Sequence, residues 1–317
     1  MSTVTAQTNT AGAGAGVSSP PRKLPKDRTS VSTTVFSGFS HLFLVAWAIM
    51  VVYPLLWVVL SGFKDDAQIV REPLSLIPNS LHWENFSRAW TNGGIGSFFF
   101  NTLIVVGGGV FLTMLLGSMA AYVLARYEFP GNRFIYYTFM AGLTLPVFMA
   151  AVPLYKGVEV LGSTVSPILG FNSRPMLILV YVAWSLSFTV FFLHSFFKTL
   201  PTQVAEAAMV DGASHTRLFF NVMLPMSRPG LISVGIFNVL GQWNQWYLPV
   251  LLMQPTGGEE KNQVIAQGLI ELSVNQGYKS DWSGMFAGLT MAMLPVLAVY
   301  IAFQRQVQAG LTGSITK

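Results

Sequence analysis

The chain has 317 residues, of which 52% are hydrophobic and 10% charged, against roughly 25% charged in an ordinary soluble protein. With a mean hydropathy of +0.53, the expectation is an all-α integral membrane protein. A net charge of +5 would suit nucleic acid, but the basic residues stand at the ends of apolar stretches rather than on one surface. They read as topology determinants, and nucleic acid is not an expected partner. The absence of cysteine excludes disulfides, thiol catalysis and cysteine-based zinc sites.

Residues 1–30 are Ser, Thr, Ala, Gly and Pro with a few basic residues, too poor in apolar side chains for a core, so a disordered tail is expected. They lack the apolar core of a cleavable signal, and the first span is expected to act as an uncleaved anchor. Residues 31–317 form the expected transmembrane domain. Six apolar stretches follow, approximately Phe36–Phe63, Phe98–Ala125, Phe134–Tyr155, Pro175–Phe197, Gly230–Met253 and Ser283–Phe303, each near or above the roughly 20 residues a spanning helix needs.

Between them lie longer connections, Lys64–Ser97, Lys156–Arg174 and Gln254–Trp282. The last opens with the breaker cluster Gln254-Pro255-Thr256-Gly257-Gly258, and Val264–Ile270 is expected to form a short interfacial helix. Asn85-Phe86-Ser87 matches a glycosylation sequon, a pattern too short to weigh much. Prolines recur within the spans at Pro54, Pro146, Pro153, Pro249 and Pro295. Each removes a backbone hydrogen bond and bends its helix, either as packing irregularity or as part of a pathway that opens and shuts.

With both termini on one side, that side holds eleven basic residues against four acidic, and the other side seven against nine. The termini and the polar segment 198–229 are therefore expected in the cytoplasm of a multi-pass cell-membrane protein. The spans carry no Asp, Glu, Lys or Arg in their interiors, so neither proton relays nor a voltage-sensing arginine ladder is expected. No Gly-Lys dipeptide occurs, which excludes a phosphate-cradling loop of the G-x-x-x-x-G-K type. The four histidines show no His-Glu-x-x-His spacing; no metal site, no catalytic residue and no cofactor of the chain's own is expected. A transporter so built needs an outside energy source.

The polar segment 198–229 is the candidate inlet, because irregular charged backbone cannot sit at hydrocarbon depth. Pro201 fits the first turn of a short helix continued by Gln203–Val210. Gly212 follows as a C-terminal residue free to take positive φ. Ser214 fits as N-cap of a second helix, ended by Pro225 and Pro229. Glu206 borders an apolar strip at Met209 and Val210, and Ala207 and Ala208 leave a shallow surface. Leu218, Phe219, Val222 and Met223 are expected to face a neighbour.

Glu206-Ala207-Ala208, Asp211-Gly212-Ala213 and Val222-x-Leu224-Pro225, at this spacing, resemble the signature of permease subunits of bacterial ATP-binding-cassette importers, with valine in the isoleucine position. The resemblance extends to Ala120-Ala121-Tyr122, Ala125-Arg126, Phe129-Pro130-Gly131, Phe303-Gln304-Arg305 and Gly310-Leu311-Thr312-Gly313, and is to the smaller permease of carbohydrate importers of the maltose type. It implies the type I importer permease fold, a second, related permease as heterodimer partner, two ATP-binding subunits that hold ATP and magnesium, and an extracellular solute-binding protein. It further implies that Glu206 through Gly212 sit in an ATPase cleft with Glu206 paired to a basic residue. The tail from Gln306 would touch the ATPases, and the outer loop Gln254–Trp282 would reach into the binding protein.

Gly241–Tyr247 gathers amides and indoles in the fifth stretch, with Gln242, Trp243, Asn244 and Trp246 as candidates for a translocation path. Amides pair with hydroxyls and indole faces stack on sugar rings; hydrogen bonding between helices is the competing role for the same side chains. The expected function is import of a sugar or oligosaccharide. The alternatives are the same architecture serving a polyamine or phosphonate, and a membrane-embedded enzyme, for which the bundle offers no polar constellation.

Overall fold

The computed structural model describes residues 31–254, 262–279 and 281–312. The expected tail, the cluster Pro255–Gly258 and the last residues from Gly313 lie outside them. By internal contacts the chain divides into two units, Met1–Tyr53 and Pro54–Lys317. The described part of the first unit is helical, the N-terminal portion of α1 (Val31–Ser61), with Leu42, Phe43, Trp47 and Met50 all exposed.

The second unit contains, in chain order, α2 (Asp66–Arg71), α3 (Glu84–Thr91), α4 (Ile95–Arg126), α5 (Asn132–Thr144), α6 (Ala151–Thr164), α7 (Arg174–Thr199), α8 (Thr202–Val210), α9 (His215–Leu218), α10 (Leu224–Met226), α11 (Arg228–Trp243), α12 (Tyr247–Leu252), α13 (Ile265–Lys279) and α14 (Trp282–Thr312). Among the described residues four helices are long and apolar enough to cross a membrane, or up to six spans if each of two bent pairs is one span. The six expected spans are the upper end of that range, and two of them are not single rods.

The third stretch breaks at Leu145-Pro146, and its halves Asn132–Thr144 and Val147–Thr164 meet at 102°. Proline drives the residue before it out of helical conformation, and Leu145 is extended at ψ 120°. The fifth stretch, expected to be continuous from Gly230 to Met253, starts at Arg228 and is interrupted after Trp243. There the amides compete with the helix: Asn244 Nδ2 donates to the Leu240 carbonyl at 2.8 Å, and Gln245 Oε1 accepts from the Tyr247 amide at 3.1 Å to start α12.

The bundle is organised on α4 and α7, its most extensive helix pair. Close approach depends on small residues, as usual between helices in lipid. At Gly117 a Cβ would lie 2.5 Å from Thr189 Cγ2, so no larger residue fits without moving the helices apart. Around this pair three apolar clusters form: Tyr122, Leu193 and Phe197 at the elbow end, Leu177, Val180 and Leu252 at the far end, and Phe98, Trp243 and Ala292 against α14.

The far-end connection is more ordered than its polar composition suggests. Of the segment Val264–Ile270, all but Val264 belongs to a longer helix, α13, running from Ile265 to Lys279. Arg88 bridges Asp281 at 2.8 Å and donates to Ser283 Oγ at 2.9 Å and Asn85 Oδ1 at 3.1 Å. Asn85, the residue of the sequon, is 3% exposed and donates to the carbonyls of Gly62 and Lys64; its amide is fully engaged in structure. Lys64 is buried with its ammonium on the Ser75 carbonyl, and burial lowers its pKa against the opposing pull of Glu72.

Arg88 thus ties α3 to the start of α14. Arg88→Ala is expected to lower the thermal stability of the detergent-solubilised chain by roughly 1–2 kcal/mol, the scale of charged hydrogen bonds discounted for partial exposure. Fluorescence-monitored melting of Arg88→Ala, Asp281→Ala and the double variant checks it, with the double variant less destabilised than the two single effects combined.

Candidate functional site

Two regions concentrate unusual chemistry. The first is the elbow between α7 and α11. α8 ends in a two-bond C-terminal closure in which the Gly212 amide donates to the Met209 carbonyl and the Ala213 amide to the Ala208 carbonyl, both at 3.0 Å. This closure requires a left-handed residue, and Gly212 supplies it at φ +80°. Ser214 then caps the next helix, its Oγ accepting from the Arg217 amide at 3.3 Å, as the sequence predicts.

Beyond that point the second helix differs from expectation. It is not ended by Pro225. Phe219–Met223 opens into a π-helical turn, with the Leu224 amide reaching back to the Phe219 carbonyl. Pro225 has no amide to donate and its ring would crowd the carbonyl four residues earlier; the widened turn accommodates both and the helix continues to Met226. The bend of 78° falls at Ser227, whose amide and hydroxyl both bond the Met223 carbonyl. Pro229 stands in the first turn of α11 rather than stopping anything.

The second correction concerns which face is free. Leu218, Phe219 and Met223 are 2%, 5% and 0% exposed and pack with Tyr122, Val190, Leu193 and Phe197 of α4 and α7. They are covered because a helix that ends on its own bundle buries its apolar side there, and the periodicity cannot say which partner covers it. Ala205, which sequence reasoning passed over, is buried in the same cluster. Two polar ties reinforce the seat: Tyr127 Oη with His215 Nδ1 at 2.9 Å, and the Arg126 guanidinium on the Leu200 carbonyl.

The outward face is the remainder. Glu206, Ala207, Asp211, Gly212 and Pro225 are exposed, Ala208, Ala213 and Leu224 half-buried. Met209 and Val210 beside them are exposed too, Val210 at 87%. Neither Glu206 nor Asp211 is ion-paired among the described residues. The result is a small anionic and apolar ledge, held at a fixed angle on the bundle.

The second region is a cavity of about 340 Å³ within the bundle, between α5, α7 and α11, a size within reach of a small ligand. Of the four path candidates only Gln242 lines it, joined by Asn238, Gly241 and Gln245 from the same chain segment and by Tyr181, Trp184 and Ser185 of α7. Trp184 and Ser185 were legible as polar or amphipathic residues in the fourth stretch but carry no motif. Trp243 turns the other way, 7% exposed, with its indole N–H on the Ala292 carbonyl at 3.2 Å and its ring against Phe99. Asn244 is exposed and bonded to its own helix, and Trp246 is exposed beside Phe148 and Tyr247.

Gln242 combines both roles weighed for it. Its Nε2 donates to Ser185 Oγ at 3.0 Å and approaches Thr113 Oγ1 at 3.4 Å, while Oε1 is buried without a partner. Turning the amide over only transfers the deficit to nitrogen, since both hydroxyls can donate instead. An orphaned buried polar atom costs about 1–3 kcal/mol; this one lies against α4, where a Cβ at Gly109 would come within 2.4 Å of it. Asn238 is satisfied by Thr189 Oγ1 at 2.8 Å.

Comparison with known proteins gives a consistent picture. Residues 113–313 match the family described as binding-protein-dependent transport system inner membrane component. The diacetylchitobiose uptake system permease protein of Streptomyces coelicolor is 47% identical over 86% of this chain and 86% of its own length. The melibiose/raffinose/stachyose import permease protein of Bacillus subtilis is 28% identical over 76% of this chain and 83% of its own. Among solved structures, a chain of a bacterial ABC transporter involved in the import of the acidic polysaccharide alginate superposes with a TM-score of 0.74 over 87% of this chain and 98% of that one, at 19% identity. The fold is that of an ABC importer permease.

Because a Cβ at Gly212 meets nothing within 4 Å, the cost of replacing it is conformational alone. Gly212→Val is expected to lose roughly 1–2 kcal/mol and Gly212→Asn much less, since asparagine tolerates the left-handed region. Limited proteolysis between Asp211 and His215 reads this out as faster cleavage of the valine variant only.

Proposed function

We propose, since the chain belongs to the family of inner membrane components of binding-protein-dependent transport systems, that it forms one half of the translocation path of an ATP-driven importer for a neutral sugar or short oligosaccharide. In this reading it catalyses no reaction itself. Hydrolysis belongs to two partner ATP-binding subunits, which hold ATP and magnesium. A second, related permease completes the path, and an extracellular solute-binding protein delivers the cargo. The distribution of basic residues supports termini and elbow on the cytoplasmic side.

The observation that carries the solute class is the cavity beside Gln242. Its lining includes amides, a serine, a tyrosine and a tryptophan, and no charged residue. A polyamine or a phosphonate brought there would be stripped of water without a counter-charge, which is costly. A polyhydroxyl ring loses only hydrogen bonds that amides can replace, while an indole offers its face. The named substrates of the two relatives, diacetylchitobiose and the melibiose group, are of that kind.

The elbow supplies the coupling. Its exposed ledge of Glu206, Ala207, Met209, Val210 and Asp211 suits a cleft on an ATPase subunit, with small side chains admitting the partner's backbone and Glu206 available to a basic residue. Its buried side, seated on α4 and α7, turns motion of the ledge into motion of the helices. Such rigid-body displacement is a known way for one domain to switch another.

Three measurements test this. ATPase activity of the reconstituted complex is expected to rise with a binding protein loaded with a neutral di- or oligosaccharide; a response confined to charged solutes overturns the solute class. Glu206→Lys is expected to weaken recovery of the ATPase subunits by roughly ten-fold or more, the scale of losing a charge-assisted contact, with membrane insertion unchanged. Gly241 faces open space at the cavity, so Gly241→Trp is expected to fill it and abolish most uptake while the complex still assembles.

A further inference from the structure

A second cavity, of about 800 Å³, lies where α4 ends, α5 begins and α7 ends. Its wall carries Arg126, Arg133 and Lys198, and none of the three is ion-paired among the described residues. Arg126 uses one guanidinium nitrogen on the Leu200 carbonyl, but its Nε–H is buried without an acceptor. α5, 13 residues long, points its first turn into the same space. Its N-cap is Gly131 at φ +91° with no side-chain cap; the Asn132 amide is bound to the Phe129 carbonyl, and the partial positive charge of the helix start adds to the three full ones. Glu128 is the one carboxylate on the lining, exposed and in no ion pair among the described residues.

Three cations against one carboxylate, with a buried unpaired donor and a helix N-terminus around the same opening, suit an anion with several acceptor oxygens, and a phosphate group is the natural fit. Its source follows from position. The cavity is at the ends of membrane-spanning helices, flanked by Phe134 and Tyr137, which are 76% and 65% exposed, aromatic residues of the sort that mark the headgroup level. α5 above it has no buried residue, leaving an apolar side along which acyl chains can run. Tyr136, stacked on His194 at 4.2 Å, forms the inner wall of the same cavity.

We infer that this cavity is a binding site for the phosphodiester headgroup of an anionic phospholipid, held by Arg126, Arg133, Lys198 and the first turn of α5. With the proposed orientation it faces the cytoplasmic leaflet. Basic pockets between spanning helices on that side are suited to such headgroups. The site is separate from the solute cavity and does not depend on which solute is carried.

The test uses the full chain, with the partner subunits that accompany it, in nanodiscs, titrated with fluorescent phosphatidylglycerol and with the matching phosphatidylcholine. Arg133 and Lys198 are exposed, so Arg133→Gln combined with Lys198→Gln leaves the core intact. Wild type is expected to prefer phosphatidylglycerol. The double variant is expected to lose roughly 30-fold in affinity, taking about five-fold per basic residue at an anionic surface. Arg133→Lys with Lys198→Arg keeps the preference, and Arg228→Gln, outside the cavity, leaves it unchanged. Equal binding of the two lipids by wild type, or undiminished binding by the double glutamine variant, overturns the assignment. Displacement by millimolar inorganic phosphate marks a soluble phosphate site and overturns the lipid source; resistance to it supports the lipid.

Discussion

The burial of Leu218, Phe219 and Met223 beneath the ends of α4 and α7 is the contact on which the rest of the architecture turns. A surface helix can pass a displacement into a membrane bundle only if its seat does not yield, and close-packed apolar side chains do not compress. The seat is made of aromatic rings: Tyr122 meets Phe219 at 5.0 Å and Phe197 at 5.5 Å. It is closed at its edges by the Tyr127–His215 and Arg126–Leu200 hydrogen bonds. Remove the seat and the ledge of Glu206 to Gly212 would be a tethered peptide; with it, the ledge is fixed to the ends of α4 and α7.

Hydrocarbon demands that each backbone group be satisfied within the protein, and the two ends of α11 show how the demand is met. At Ser227 one residue bonds the Met223 carbonyl twice, through its amide and its hydroxyl, which fixes the last turn before the bend. At Asn244 to Trp246 the side-chain amides take over from the backbone for one turn. At both ends of α11 the break falls where polar side chains are available to cover it, and the polar segment beside Gln242 is both the repair of a helix and part of the lining of a cavity.

Much of this was legible from residues alone. The local signals of the elbow, Gly212 for a left-handed joint and Ser214 for a cap, act within four residues and need no tertiary partner. What periodicity could not give was the direction of faces. Phe219 and Met223 repeat as a docking stripe would, yet the stripe is spent inside the chain; Trp243 sits among path-like neighbours but rotates about 100° per residue away from Gln242 and packs toward α14. The bend at Pro146 was visible as a proline, but its angle depends on how α5 and α6 pack. Arg88 and Asp281 stand 193 residues apart, a pairing that nothing local announces.

α7 is common to all three special regions. Its first half lines the cavity beside Gln242 through Tyr181, Trp184 and Ser185, its last turns form the seat through Leu193 and Phe197, and Lys198 and His194 border the basic cavity. A helix of 26 residues is about 39 Å long and moves as a rod when its packing is continuous. Motion at the elbow therefore cannot leave the neighbourhood of Gln242 unchanged, because Ser185, the hydroxyl that holds the Gln242 amide at 3.0 Å, rides on that rod. Shifting it by an ångström would stretch that hydrogen bond beyond bonding distance. The polar character of the cavity therefore depends on the position of the same helix that seats the elbow.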